Sequence, residues 1–169
     1  FSCAAWIASI HRGIDVAIAT NEHHVAGCTG STSEAVVQAL YGLPKHAMLD
    51  MGDFSGGLIK YLRRHPIPKL TIGGGIGKIT KLAQGARDLH SKRSQVDFST
   101  LNKWAKERNL SDVSHANTAL QALEICGPDL AIVVAQKALE CVNHQVGDVD
   151  ICCDIVVVDR AGNIVGQAS

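Results

Sequence analysis

The chain of 169 residues is long enough for one ordinary domain or two small ones with a substantial core. Hydrophobic residues make up 46% and charged residues 19%, and sixteen basic side chains balance sixteen acidic ones. That balance leaves no global field favouring nucleic acid or an anionic membrane, and no run reaches the roughly 18 apolar residues of a spanning helix.

The first segment, FSCAAWIASIHRG, is amphipathic rather than a charged head followed by an apolar stretch, so it does not read as a secretion signal. It lacks an initiator Met and is expected to open a fragment at a helix start, with Ser2 as cap. Ala5, Ile7, Ile10, Ile14, Ala17 and Ile18 supply the apolar stripe of a helix over 3–20. A brief strand over 24–27 leads into CTGSTSEAVVQAL, where Ser31 and Glu34 have capping-box spacing for a helix over about 32–41. A strand is expected at 46–51, then GDFSGG and a helix ending near Arg64. After Pro66 and Pro68, a strand over 69–72 runs into Gly73, Gly74, Gly75 and Gly77, which open a helix over about 76–89.

Three times, then, a strand enters a glycine-containing turn and a helix. The fold class expected is α/β, with a mostly parallel sheet and helical crossovers in the first half. Ligands bind such sheets outside the carboxyl ends of the strands. The second half reads as helices over 98–108, 112–126 and 129–146, broken at Gly127-Pro128. A C-terminal β-hairpin follows, DICCDIVVVD and NIVGQ flanking RAG. The organisation expected is an α/β part over 1–96 and a helical part plus hairpin over 97–169, packed as one unit.

The glycine stretch is neither a Walker loop nor a clean GxGxxG, because Ile72, Lys78 and Ile79 occupy positions those motifs reserve for other residues. What survives is a set of glycines that let main-chain N–H groups approach a ligand at a helix N-terminus. A close strand–helix crossing with solvated lysines accounts for the same residues. Lys78 opposes the helix dipole by about 0.3–1 kcal/mol unless an anion offsets it. Gly52-Asp53 is open to two readings, a helix cap or a carboxylate at the ligand edge. So is Thr29-Gly30-Ser31-Thr32-Ser33, a plain cap or a set of hydroxyl and N–H donors. Neither the histidines nor Cys3, Cys28, Cys126, Cys141, Cys152 and Cys153 form a metal set or a CxxC pair. Reduced thiols in the cytoplasm are expected, without a protein-bound metal.

Taken together, GSTSE, GDFSGGLIKYL, IGGGIGKITKLAQG and DLHSKRSQVDF resemble the CbiD family of cobalamin biosynthesis over roughly residues 3–96, with the terminal hairpin in keeping. The family's proteins are about twice this length, so the resemblance is to a C-terminal half whose N-terminal domain is missing. It implies methylation of carbon 1 of cobalt-precorrin-5B, giving cobalt-precorrin-6A, with S-adenosyl-L-methionine as donor and cobalt carried by the substrate. Asp53, Glu34 and His90 are then the catalytic candidates. Gly52, Asp53, Gly73, Gly74, Gly75 and Gly77 are the cofactor-binding candidates. Thr29, Gly30, Ser31, Ser33, Lys78, Lys81, Arg87, Ser91, Lys92 and Arg93 are candidates for the corrinoid, whose carboxylate arms suit Arg and Lys. The expected partner is this small molecule, with no nucleic acid and no membrane; homo-oligomerisation stays open. Two other readings also stay open: a nucleotide- or phosphate-binding α/β enzyme, and a non-catalytic corrinoid-binding or assembly fragment.

Overall fold

The computed structural model describes residues 2–169. Helix α1 (Cys3–Ala19) starts at Ser2, whose hydroxyl accepts from Ala5 N–H at 3.2 Å, the cap its sequence predicts. There follow β1 (His24–Cys28), α2 (Ser31–Tyr41), a 3₁₀ turn (Lys45–Ala47), β2 (Met48–Leu49), α3 (Ser55–Arg64), β3 (Lys69–Gly74) and α4 (Ile76–Ala83). The second half holds α5 (Phe98–Glu107), α6 (Ala119–Cys126), α7 (Pro128–Val146), β4 (Cys152–Val158) and β5 (Ile164–Ala168). Among the described residues no helix is long and apolar enough to cross a membrane.

The five strands form one sheet in the order β2-β1-β3-β4-β5. The first four are parallel, with His24 opposite Lys69 and Lys69 opposite Cys152; only β5 runs antiparallel, closing the hairpin with β4. This is the expected α/β class. Strand β4 of the second half therefore lies directly beside β3 of the first. Alternation along the strands sends Val25, Leu70, Ile72, Ile155 and Val157 into a large core with α1, α3, α4 and α7. On the opposite face Ala26, Cys28, Val156 and Val158 pack with Val37 of α2. Burial pushes the Cys28 thiol up to about 12 and that of Cys153 up to about 11, as expected of thiols packed as apolar groups.

Several expected boundaries move, and β3 runs on from 72 to Gly74. The strand expected over 46–51 is only Met48–Leu49, because Lys45–Ala47 form a 3₁₀ turn. Helix α2 is capped by Gly30 rather than Ser31: Ser33, at 3% exposure, accepts from Gly30 N–H and donates to its carbonyl. The Ser31–Glu34 capping box is thus replaced by a pairing one residue earlier. Helix α4 stops at Ala83 instead of about 89, since Gly85 takes φ +95° and Ala86 N–H turns back to Lys81 O. Helix α6 starts at 119 rather than 112, capped by Thr118, which accepts from Gln121 N–H.

Helix α7, opened by Pro128 at its first position, presents Ala131, Ala135 and Ala138 to the sheet. Small residues there permit close contact: a Cβ on Gly166 would lie 2.6 Å from the main-chain carbonyl of Ala131. We expect Gly166→Ala to destabilise the fold by about 1–3 kcal/mol in urea unfolding. An unchanged midpoint would mean that the crossing is looser than described.

Beside α2 the sheet carries a polar cluster. His24 Nε2 donates to Thr71 Oγ1 at 2.7 Å, and Thr71 and Tyr41 both donate to the buried carboxylate of Asp154. Lys69 Nζ stands 4.6 Å from the centre of the Tyr41 ring. Burial, then the Lys69 charge, lowers the pKa of His24, while Asp154 opposes the change. A histidine lowered on folding stabilises fully above its unfolded pKa of about 6.5, and that contribution is lost as pH falls through and below it. Unfolding midpoints measured from pH 7.5 to pH 5 should therefore fall less steeply for His24→Gln than for the parent; parallel curves would contradict the assignment.

Candidate functional site at the carboxyl edge of the sheet

Strands β1 and β3 are neighbours, yet the crossover from β1 leads to β2 and the chain from β3 leads to β4 on the other side. Such a switch in direction leaves a crevice between the two carboxyl ends. Thr29 N–H donates to Gly73 O at 3.0 Å, so the β1 loop leaves from the last rung of the sheet. Beyond it lies a recess of about 520 Å³, lined by residues 29–33, by Gly75, Ile76 and Gly77, by Thr118, Ala119, Leu120 and Leu123, and by Val158, Asp159 and Arg160.

Three helix N-termini meet there: α2 after Gly30, α4 after Gly75 and α6 after Thr118. First-turn N–H groups have no partner within their own helix, and each dipole places partial positive charge at that end. A Cβ on Gly30, Gly75 or Gly77 would meet nothing within 4 Å, so these glycines leave open space. Gly73 and Gly74 differ. Both are buried in β3, where a Cβ would lie 2.7 Å from Val37 and from Thr29 Oγ1 respectively. The glycine run therefore divides into two packing residues and two that border the recess. Asp159 accepts from Asn163 N–H and Nδ2 within the β4–β5 hairpin, bonds that favour its ionised form, and Arg160 stands next to it as the cation of that wall.

Thr29 and Gly30 also line a second recess of about 430 Å³, with Cys3, Trp6, Gly52, Asp53, Phe54 and His90. Trp6 Nε1 donates to Asp50 O at 2.8 Å and fixes α1 against this turn. Gly52 sits at φ +56°, where a Cβ would stand 2.7 Å from the Trp6 ring, so its identity follows from the turn itself. Asp53 is not the cap of α3, a position taken by Phe54. Its Oδ1 accepts from Lys78 Nζ at 2.7 Å, and Lys78 also donates to Leu89 O. The anion that offsets Lys78 at the start of α4 is thus a side chain of this protein. Lys81 donates to the same Leu89 carbonyl; burial, then the Lys78 charge, lowers its pKa. His90 Nδ1 accepts from Lys92 N–H at 3.1 Å, so the neutral ring keeps its proton on Nε2 as a donor.

The sequence-derived candidates are therefore distributed unevenly. Thr29, Gly30, Ser31, Ser33, Gly75 and Gly77 border the first recess, and Thr29, Gly30, Gly52, Asp53 and His90 the second. Arg87 and Arg93 border a third, beside α3. Glu34, Gly73, Gly74, Lys78, Lys81, Ser91 and Lys92 line none of these three. Reading the sequence missed the start of α6 and the Val158–Arg160 wall. Thr118 and Gln121 have capping spacing, T-x-x-Q, which would have marked the former. Among the described residues no group of three or more His, Cys, Asp or Glu could hold a metal ion.

Residues 88–169 match the family model for the CbiD C-terminal domain. A Cobalt-precorrin-5B C(1)-methyltransferase of Brucella anthropi is 54% identical over 99% of this chain and 48% of its own length. Proteins of the same name from Brucella canis and Brucella suis are 51% identical over the same shares. The second half of the chain carries the CbiD C-terminal domain. The chain spans about half the length of the curated relatives it matches. No solved structure matches it.

The Asp53–Lys78 pair is partly buried, and we expect a double-mutant cycle of Asp53→Asn and Lys78→Met in urea unfolding to give a coupling of about 1 kcal/mol. Asp53→Asn alone should cost more than the double variant, because it strands a cation in a first helical turn. Additive single changes would refute the pairing.

Proposed function

We propose that this chain is the part of a cobalt-precorrin-5B C(1)-methyltransferase that holds methyl donor and corrinoid at the β1–β3 crevice. The observation that carries the reading is the meeting of three helix N-termini on one recess that shares Thr29 and Gly30 with a second. Main-chain N–H groups, the hydroxyls of Thr29, Ser31 and Thr32, and the room beside Gly30, Gly75 and Gly77 suit a ligand with a carboxylate and a ribose. S-adenosyl-L-methionine has both, and when bound it supplies an electrophilic methyl group on a sulfonium.

Residues 29–33 and 75–77 would then hold the donor's polar groups, with Arg160 adding charge at the rim. Across the Thr29–Gly30 wall, the second recess would receive the corrinoid, a cobalt-carrying substrate. Asp53 has one oxygen engaged with Lys78 and offers the other as an acceptor; His90 offers Nε2–H as a donor. The task of these groups is to bring the ring carbon and methyl group to about 3–3.5 Å in line. Nothing in that task calls for a nucleophilic side chain of the protein. A biosynthetic enzyme of this kind would act in the cytoplasm.

The test is a chimera in which this chain replaces the matched half of the Brucella anthropi relative, assayed with cobalt-precorrin-5B and methyl-labelled S-adenosyl-L-methionine. Label is expected at carbon 1. Gly75→Val, which fills open space, should raise the KM for the donor at least about tenfold, a change of about 1.4 kcal/mol. A folded chimera that transfers no label, or a Gly75→Val variant with unaltered donor kinetics, would overturn the proposal.

A further inference from the structure

The third recess, about 550 Å³, lies on the α1–α3 side of the molecule and is rimmed by four cations, Lys60, Arg63, Arg87 and Arg93. Lys60 and Arg63 belong to α3, one turn apart; Arg87 and Arg93 come from the irregular stretch after α4. Among the described residues none of the four is paired with a carboxylate. The one acid at the recess, Asp88, already accepts from His90 N–H.

The arrangement is held by main-chain bonds rather than by the cations themselves. Arg87 O accepts from Gly56 N–H at 2.9 Å and from Ser55 Oγ at 3.2 Å. A Cβ on Gly56 would lie 2.6 Å from the Arg87 Cβ, so the stretch is pressed onto the start of α3. Arg93 N–H donates to His90 O at 2.8 Å. Arg63 stands in the last turn of α3, where the helix dipole favours a cation, but that argument does not extend to Lys60, Arg87 or Arg93. Four cations face a single acid there, Asp88, so the recess keeps an excess of positive charge, and gathering it costs energy unless an anion enters. Cys3 and Phe54 line both this recess and the one holding Asp53 and His90, so the two adjoin.

We propose that the recess formed by Lys60, Arg63, Arg87 and Arg93 is a polycarboxylate-binding subsite that grips the acidic arms of a macrocycle whose ring lies toward Asp53 and His90. The assignment rests on the corrinoid reading above for the identity of the natural ligand. Two or more carboxylates are needed, because the cations come from two separated segments; the guanidinium groups pair with them in bidentate fashion.

The probes are uroporphyrin I, with eight carboxylates, and its neutral octamethyl ester, titrated into this chain by fluorescence. Uroporphyrin I is expected to bind, more weakly as salt is raised, and the ester not to bind. Arg63→Gln and Arg87→Gln together should weaken binding more than tenfold, while Arg64→Gln, in the same turn of α3 but away from the recess, should leave it unchanged. Should the double variant not fold, Lys60→Gln, at an exposed position, serves in its place with a loss of at least threefold. Equal binding of acid and ester, or binding indifferent to these substitutions, would overturn the subsite. In the chimera the same variants should raise the corrinoid KM and leave the donor KM unchanged. Methylation with an unaltered corrinoid KM would remove the subsite and spare the function. Binding that follows the expected pattern in a chimera that never methylates would do the reverse.

Discussion

The ammonium of Lys78 is the joint on which the proposed site depends. One oxygen of Asp53 and the carbonyl of Leu89 converge on it, so three separate stretches meet at a single cation: the turn after β2, the first turn of α4 and the segment that returns from α4. Leu89 N–H closes the loop by donating to Asp53 O at 2.9 Å. A cation in a first helical turn is unfavourable by itself, and a carboxylate close by reverses the sign. The same bonds fix where Asp53 and His90 stand at one recess and where Arg87 begins at the next.

Much of the architecture follows from local pattern. Strand, glycine turn and helix recur three times, and each repeat is a crossover of the parallel sheet. Gly127-Pro128 breaks the helices where such a pair should. What the pattern could not give was the end of α4. The apolar spacing of Ile79, Leu82, Ala83 and Ala86 continues past Ala83, but Gly85 takes a left-handed conformation and ends the helix. Periodicity records which side chains are buried, not which backbone carries them. Leu89, for example, is fully buried without being helical.

The candidate site was legible in kind more than in pairing. Thr29, Gly30, Asp53, Gly75, Gly77 and His90 do gather at the carboxyl edge, as the topology requires. Yet Lys78 is engaged with Asp53, which lies 25 positions earlier and was read as a separate feature. Partnerships of that kind are tertiary, and no spacing rule reaches them. Nothing in the local pattern marks Lys60 and Arg63 for the same reason; only the fold sets them beside Arg87 and Arg93.

Gly127 ends α6 and begins α7 at once, with φ +78° and ψ −174°, a conformation reserved almost entirely for glycine. The short helix is tied at this joint to the long buried helix, and Ala119 and Ala122 seat the rest of it in the core. A side chain at this one joint would swing the far end of α6 away from the crevice. The pocket would then lose a wall while every atom lining it kept its chemical identity.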